Sequence, residues 1–110
     1  MNSVSSRISR ELRNHADKRR AAVLAGFFKT GAGEYGEGDV FYGVTVPVVR
    51  RVAEKFAEKA GFDDVSKLLL SKIHEERLAA LLILVHKFRL GNPAERKAIY
   101  EFYLRKASRV

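Results

Sequence analysis

No cysteine and no tryptophan occur among the 110 residues, prolines number two, and histidines number three. Without cysteine there can be no disulfide framework, and the absence fits a reducing compartment. The N-terminus M-N-S-V-S-S-R-I-S-R has no apolar core of the kind a secretion signal needs, and no apolar run approaches the length of a bilayer crossing. The expectation is therefore a soluble, cytoplasmic protein with no membrane partner. His15, His74 and His86 are too dispersed for a zinc site and have no thiolate to help them, so no metal is expected. H-E-x-x-H, P-loop and G-x-S-x-G motifs are all missing, and no cofactor is expected.

What is abundant is positive charge. Lys and Arg total 21 against 13 for Asp and Glu, a net charge of +8. An anionic partner is the first candidate, and nucleic acid is the commonest one. A basic surface that merely keeps the chain soluble accounts equally well for charge alone. Residues 1 to 30 carry seven basic and two acidic side chains, residues 31 to 60 four and five, and residues 61 to 110 ten and six. The positive field thus sits toward the two ends.

The periodicity is helical almost throughout. Val4, Ile8 and Leu12 step by four with Arg7, Arg10 and Arg13 between them, a short amphipathic helix whose apolar stripe is too thin to hold it alone. Asp17 can cap a second helix with Ala21, Leu24, Ala25 and Phe28 facing inward. Lys18, Arg19 and Arg20 occupy its first turn, where cations oppose the helix dipole, so they are candidates for contact with an anion.

Thr45 and Pro47 open a third helix, expected to reach about Ala60 with Gly61 as its C-cap. Its packed face is Val49, Val52, Ala53, Phe56 and Ala60, and Arg51, Lys55 and Lys59 form a separate stripe at steps of four. That stripe suits a phosphate backbone, or else a solvated face relieved by Glu54 and Glu58. A short helix is expected over Phe62 to Leu70. A longer one starts at His74 and runs to about Leu90, buried on most sides, with Glu75 and Glu76 at its positive end. His74 beside two glutamates could act as an acid/base group, but a helix-capping role is the commoner use of H-E-E. Asn92, Pro93 and Glu95 form a capping box for a last helix. Its two apolar faces, one through Ile99, Phe102 and Tyr103 and one through Tyr100 and Leu104, call for a further helix to cover it, or for self-association.

Between helices lies one long non-helical passage, residues 29 to 47, with five of the eight glycines. A flexible linker would not carry Tyr35, Phe41, Tyr42, Val44 and Val46, so an ordered loop folded against helices is expected. Gly31, Gly33 and Gly36 spell G-x-G-x-x-G, but no strand precedes them and no helix follows at once. Glu34, Glu37 and Asp39, with no Lys or Arg from Gly31 to Gly43, give the wrong sign for a phosphate cradle.

Three linked blocks carry a resemblance: F-F-K-T-G at Phe27 to Gly31, G-E-Y-G-E-G-D-V-F-Y-G-V at Gly33 to Val44 followed by Pro47 with Arg50 and Arg51, and H-E-E-R-L-A-A-L-L-I-L at His74 to Leu84. Together they resemble the AlkD-like DNA alkylation repair enzymes over nearly the whole chain. The resemblance implies an all-α superhelix, a HEAT-like repeat solenoid of antiparallel helix pairs, gripping alkylated duplex DNA. It also implies hydrolysis of the N-glycosidic bond of N3- or N7-alkylated purines. Such bases are already cationic and leave readily, so a carboxylate that stabilises the oxocarbenium-like transition state suffices.

In the family that carboxylate belongs to a W-D-x-V-D segment, and this chain has no tryptophan. The expectation is a single helical domain over residues 1–110 that is the N-terminal half of a longer one and catalytically incomplete. None of Glu34, Glu37, Asp39, Glu75 or Glu76 is expected to be the catalytic group. The residues expected to bind DNA are Lys18, Arg19, Arg20, Lys29, Arg50, Arg51, Lys55 and Lys59. Phe27 falls where some members place a tyrosine near the lesion. Arg77 matches a recurrent basic position but would serve equally in a structural ion pair. The alternative is a HEAT-like scaffold that binds nucleic acid or protein without chemistry.

Overall fold

A computed structural model describes residues 3–28, 31, 33 and 38–107 of the chain. Six helices occupy them: α1 (Val4–Asn14), α2 (Lys18–Phe27), α3 (Val46–Phe56), α4 (Phe62–Leu69), α5 (His74–Leu90) and α6 (Pro93–Ala107). The fold is all-α, in keeping with a helical-repeat architecture. Among the described residues the only β-type pairing is an isolated parallel bridge between Val40 and Ile73.

The core forms around α5, whose Ala79, Ala80, Ile83 and Leu84 are buried. The two alanines let neighbouring helices approach closely, and α1, α3, α4 and α6 all pack on α5. Val49, Val52, Ala53 and Phe56 of α3, with Val65 and Leu68 of α4, complete the interior. Burying each large aliphatic side chain contributes about 1.5–3 kcal/mol, which is how α1, with Ile8 and Leu12 fully covered, is held despite its thin stripe. Helix α1 rests on α3, α4 and α5.

Local chemistry sets the helix ends. Ser3 Oγ accepts the Ser6 N–H at 3.2 Å and Asp17 Oδ1 accepts the Arg20 N–H at 2.9 Å, capping α1 and α2. The expected Asn92–Glu95 box is complete: the Glu95 N–H donates to Asn92 Oδ1 at 2.8 Å and the Asn92 N–H to Glu95 Oε1 at 3.0 Å. Two expectations change. Helix α3 ends at Phe56 rather than near Ala60, and Gly61, with φ −93° and ψ 178°, is the N-cap of α4 rather than a C-cap. The reason is Asp64, whose Oδ2 takes the Gly61 N–H while its Oδ1 takes the Ser5 N–H, both at 3.0 Å. One carboxylate thereby ties the start of α4 to the start of α1. Thr45 precedes α3 but its hydroxyl makes no capping bond.

Helix α2 is attached differently. None of its residues is fully buried, and Ala21, Leu24, Ala25 and Phe28 are only half covered. It hangs on the segment before α3. The Asp17 N–H donates to Tyr42 O at 2.9 Å and the Arg20 guanidinium to Gly43 O at 2.8 Å. Gly43, at φ +83°, lies so close that a Cβ there would fall 2.1 Å from Asp17 O and 2.7 Å from Ala21 N.

Candidate nucleic-acid interface

The cations of α2 stand at its first turn. Lys18, Arg19 and Arg20 are exposed, and Arg20 is fixed by its bond to Gly43 O, so the turn is oriented by the loop beneath it. Arg50 and Arg51 are exposed on α3, as are Lys55 one turn on and Lys59 in the turn beyond its end. Lys55 is paired with Glu11 of α1 and lies 5.4 Å from the centroid of the Phe56 ring. The candidate cations therefore form two groups, one at the start of α2 and one along α3. The junction of α1 and α2, where His15 and Arg13 are also exposed, lies between them. Lys29 lies outside the described residues, as do Glu34, Tyr35, Gly36 and Glu37 of the glycine-rich passage.

At the other end of α2 an aromatic stack emerges into solvent. Phe41 is buried and stacks on the His74 ring with centroids 4.8 Å apart. Phe28 lies 5.4 Å from both Phe41 and His74, and Phe27 meets Phe28 edge-on at 5.2 Å. The outermost ring, Phe27, is 76% exposed. A large apolar ring held in water by rings behind it is a surface on which a planar base can stack.

The loop that carries this stack is organised by the first turn of α5. Glu75 is buried at 2% exposure, and its carboxylate accepts three backbone N–H groups. Oε1 takes that of Tyr42 at 2.9 Å, and Oε2 takes those of Gly43 and Val44 at 2.9 and 3.1 Å. Glu76, also buried, accepts the Tyr42 hydroxyl at 2.7 Å through Oε2. Burial, and then the hydrogen bond and negative charge of Glu76, push the Tyr42 phenol well above its ordinary pKa.

Arg77 reaches the opposite strand of the loop. One guanidinium nitrogen donates to Asp39 Oδ1 at 2.5 Å and the other to Ser71 O at 2.9 Å. Asp39 Oδ2 is 3.6 Å from His74 Nδ1. The Val40 N–H donates to Lys72 O and the His74 N–H to Val40 O, at 3.0 and 2.8 Å. All four residues of H-E-E-R thus clamp residues 39 to 44.

The buried carboxylates thus serve the loop. Glu75 has both carboxylate oxygens and Glu76 one bonded to the loop, and Asp39 is held by Arg77. Arg77 has the ion-pair role, not an open cationic one. Glu75 is the residue whose importance the sequence reading passed over by treating H-E-E as a capping arrangement. The signal was present in the spacing: Glu75, Ala79 and Ile83 share one buried stripe, and Glu76, Ala80 and Leu84 the next.

Among the described residues no group of three His, Asp or Glu side chains could hold a metal ion, and no helix is long and apolar enough to cross a membrane. Residues 8–110 match the sequence profile of the family described as DNA alkylation repair enzyme. No curated protein and no solved structure matches the chain.

Proposed function

Because the chain belongs to the DNA alkylation repair enzyme family, we propose that it is the duplex-gripping part of a DNA glycosylase that removes N3- and N7-alkylated purines. The observation that carries this proposal is α2 itself. Its first turn presents Lys18, Arg19 and Arg20, and its last residue is the exposed Phe27 on the Phe28–Phe41–His74 stack. Cations that contact phosphates and an aromatic platform for a base are thereby set about one helix length apart, near 15 Å for ten residues at about 1.5 Å per residue.

The division of labour follows from charge. An alkylated purine is a cationic leaving group, so its departure needs no proton from the protein. What it needs is negative charge near the sugar and an ordered water. The buried carboxylates close to the platform are occupied in holding the loop, and the proposal assigns the catalytic carboxylate to a segment outside these 110 residues. This chain's own residues bind and orient. Cations of α2 and α3 fix the duplex, and Phe27 offers its face beside the lesion.

Fluorescence anisotropy with alkylated and unmodified duplexes, repeated across salt concentrations, tests the proposal. Contact with several phosphates requires log affinity to fall linearly with log salt at about −0.9 per phosphate. Binding that is absent, or indifferent to salt, would refute it. A second use of the scaffold, binding without chemistry, is favoured by the commitment of Glu75, Glu76 and Asp39 to structure. The two separate on activity: release of alkylated base by the longest natural form of the chain supports the glycosylase, and its absence there supports the scaffold.

A further inference from the structure

A groove of about 320 Å³ lies between the C-terminal half of α1 and the exposed side of α3. Val48 and Val52 form part of its lining, and around them stand Glu11, Asn14, His15, Arg51 and Lys55. Its polar rim thus gathers an ammonium, a guanidinium, an imidazole and a carboxamide from α3 and the C-terminal end of α1, with a single carboxylate among them. That carboxylate, Glu11, pairs with Lys55. The Glu11 side chain is 31% exposed and that of Lys55 59%, so the acid sits deeper and the ammonium lies toward water. No carboxylate pairs with Arg51 among the described residues.

Four donor side chains share the groove with one carboxylate, to which Lys55 alone is bonded, so the negative charge now in the groove is the protein's own. We propose that this groove is a subsite for one backbone phosphate of duplex DNA, contributed jointly by α1 and α3, in which Glu11 stands in for the phosphate until a duplex displaces it. The inference rests on the DNA-binding function proposed above and adds to it a role for α1. A phosphodiester oxygen carries the same charge as the carboxylate, so Lys55 exchanges one partner for the other. Arg51 supplies a second contact, and the Glu11 side chain turns to water. An exposed ion pair contributes little free energy, so the exchange is permitted. It still tempers a chain of net charge +8, which would otherwise hold any polyanion through these cations.

The test is a double-mutant cycle on the 110-residue chain with a short fluorescent duplex, using Glu11→Gln, Lys55→Ala and the pair, at about 50 and about 200 mM salt. Glu11→Gln is expected to tighten binding about 3- to 10-fold at the lower salt and by less at the higher, because it removes both the competitor and a charge that repels the duplex. Lys55→Ala is expected to weaken binding, and in its background Glu11→Gln is expected to restore only the small part of its gain that comes from removing a repelling charge. Inorganic phosphate at matched phosphorus concentration is expected not to compete. A wild type that binds while Glu11→Gln leaves affinity unchanged or lowers it overturns the subsite. So does strict additivity in the cycle, and competition by inorganic phosphate would assign the groove to a free anion instead. Salt-dependent binding absent from every variant would overturn the DNA-binding function itself, an outcome distinct from the others.

Discussion

Glu75 is the single side chain whose loss should be felt most. Its carboxylate accepts the N–H groups of Tyr42, Gly43 and Val44 from a site only 2% exposed. Hydrogen bonds to an ionised acceptor contribute about 1.5–3 kcal/mol each, so three set an upper bound of about 5–9 kcal/mol. The cavity left by Glu75→Ala can admit water, which satisfies some of the donors, and about 4–6 kcal/mol is the expected cost. Set against a total stability of about 5–15 kcal/mol for a domain of this kind, that leaves a marginal or unfolded chain. Glu75→Gln keeps the shape and one acceptor oxygen but turns an amide donor toward a backbone donor, for an expected loss of about 2–3 kcal/mol. Glu76→Gln is the control, since a carboxamide oxygen can still accept the Tyr42 hydroxyl; about 1 kcal/mol or less is expected. Urea unfolding followed by circular dichroism measures all three. If Glu75→Ala shifted the free energy by less than about 1 kcal/mol, the claim that this carboxylate organises the loop would be wrong.

The neighbouring residues give further expectations. Gly43→Ala should cost about 3 kcal/mol or more and release α2 to proteolysis, because its Cβ would overlap the Asp17 and Ala21 backbone, whereas Gly38→Ala, at the same φ of +83° in open space, should cost only about 1–2 kcal/mol. The raised pKa of Tyr42 means that the folded state keeps its phenolic proton where the unfolded chain loses it, so stability contributed by this group is intact below about pH 10 and declines as pH rises beyond that. Ultraviolet titration should show one of the four tyrosines resisting ionisation until unfolding, and Tyr42→Phe should abolish that component. In a double-mutant cycle, Asp39→Asn and Arg77→Gln should couple by about 1–2 kcal/mol, as a partly buried, hydrogen-bonded ion pair does, and a coupling near zero would remove Arg77 from its assigned role. For DNA binding, Arg19→Ala should lower affinity and salt slope without changing thermal stability, while Arg20→Ala should lower both affinity and stability because its guanidinium also holds Gly43 O.

The helices were legible because each rests on local signals that the chain states openly. Ser, Asp and Asn side chains stand where helix starts need acceptors, and the 3–4 spacing of apolar residues marks the packed faces. Where the sequence misled, a tertiary contact had overridden a local one. Gly61 resembles a C-cap until Asp64 is seen to be shared between Gly61 and Ser5, 59 residues away from the latter. The place of α2 could not be read from its own periodicity. Ala21, Leu24 and Ala25 do share a face, but the start of α2 is seated on the loop at Gly43, where the close approach of the Asp17 and Ala21 backbone explains why a glycine stands there.

The same distinction governs the candidate interface. The exposure of its cations was legible by composition and position, since Lys18, Arg19, Arg20, Arg50 and Arg51 stand exposed where helical spacing puts them, and Lys59 is exposed in the turn beyond α3. Charge alone, however, does not tell a cation aimed at an external anion from one already matched inside the protein. Arg77 and Lys55 look alike in sequence, each a base within a turn of glutamates, yet Arg77 is one-quarter exposed and bound to Asp39 while Lys55 is more than half exposed and bound to Glu11. Exposure decides between them. A partly buried pair cannot be broken without stranding a desolvated charge, so Arg77 is fixed in the fold. A pair open to water can be exchanged for another anion at little cost, so of the two only Lys55 could serve the proposed DNA contact.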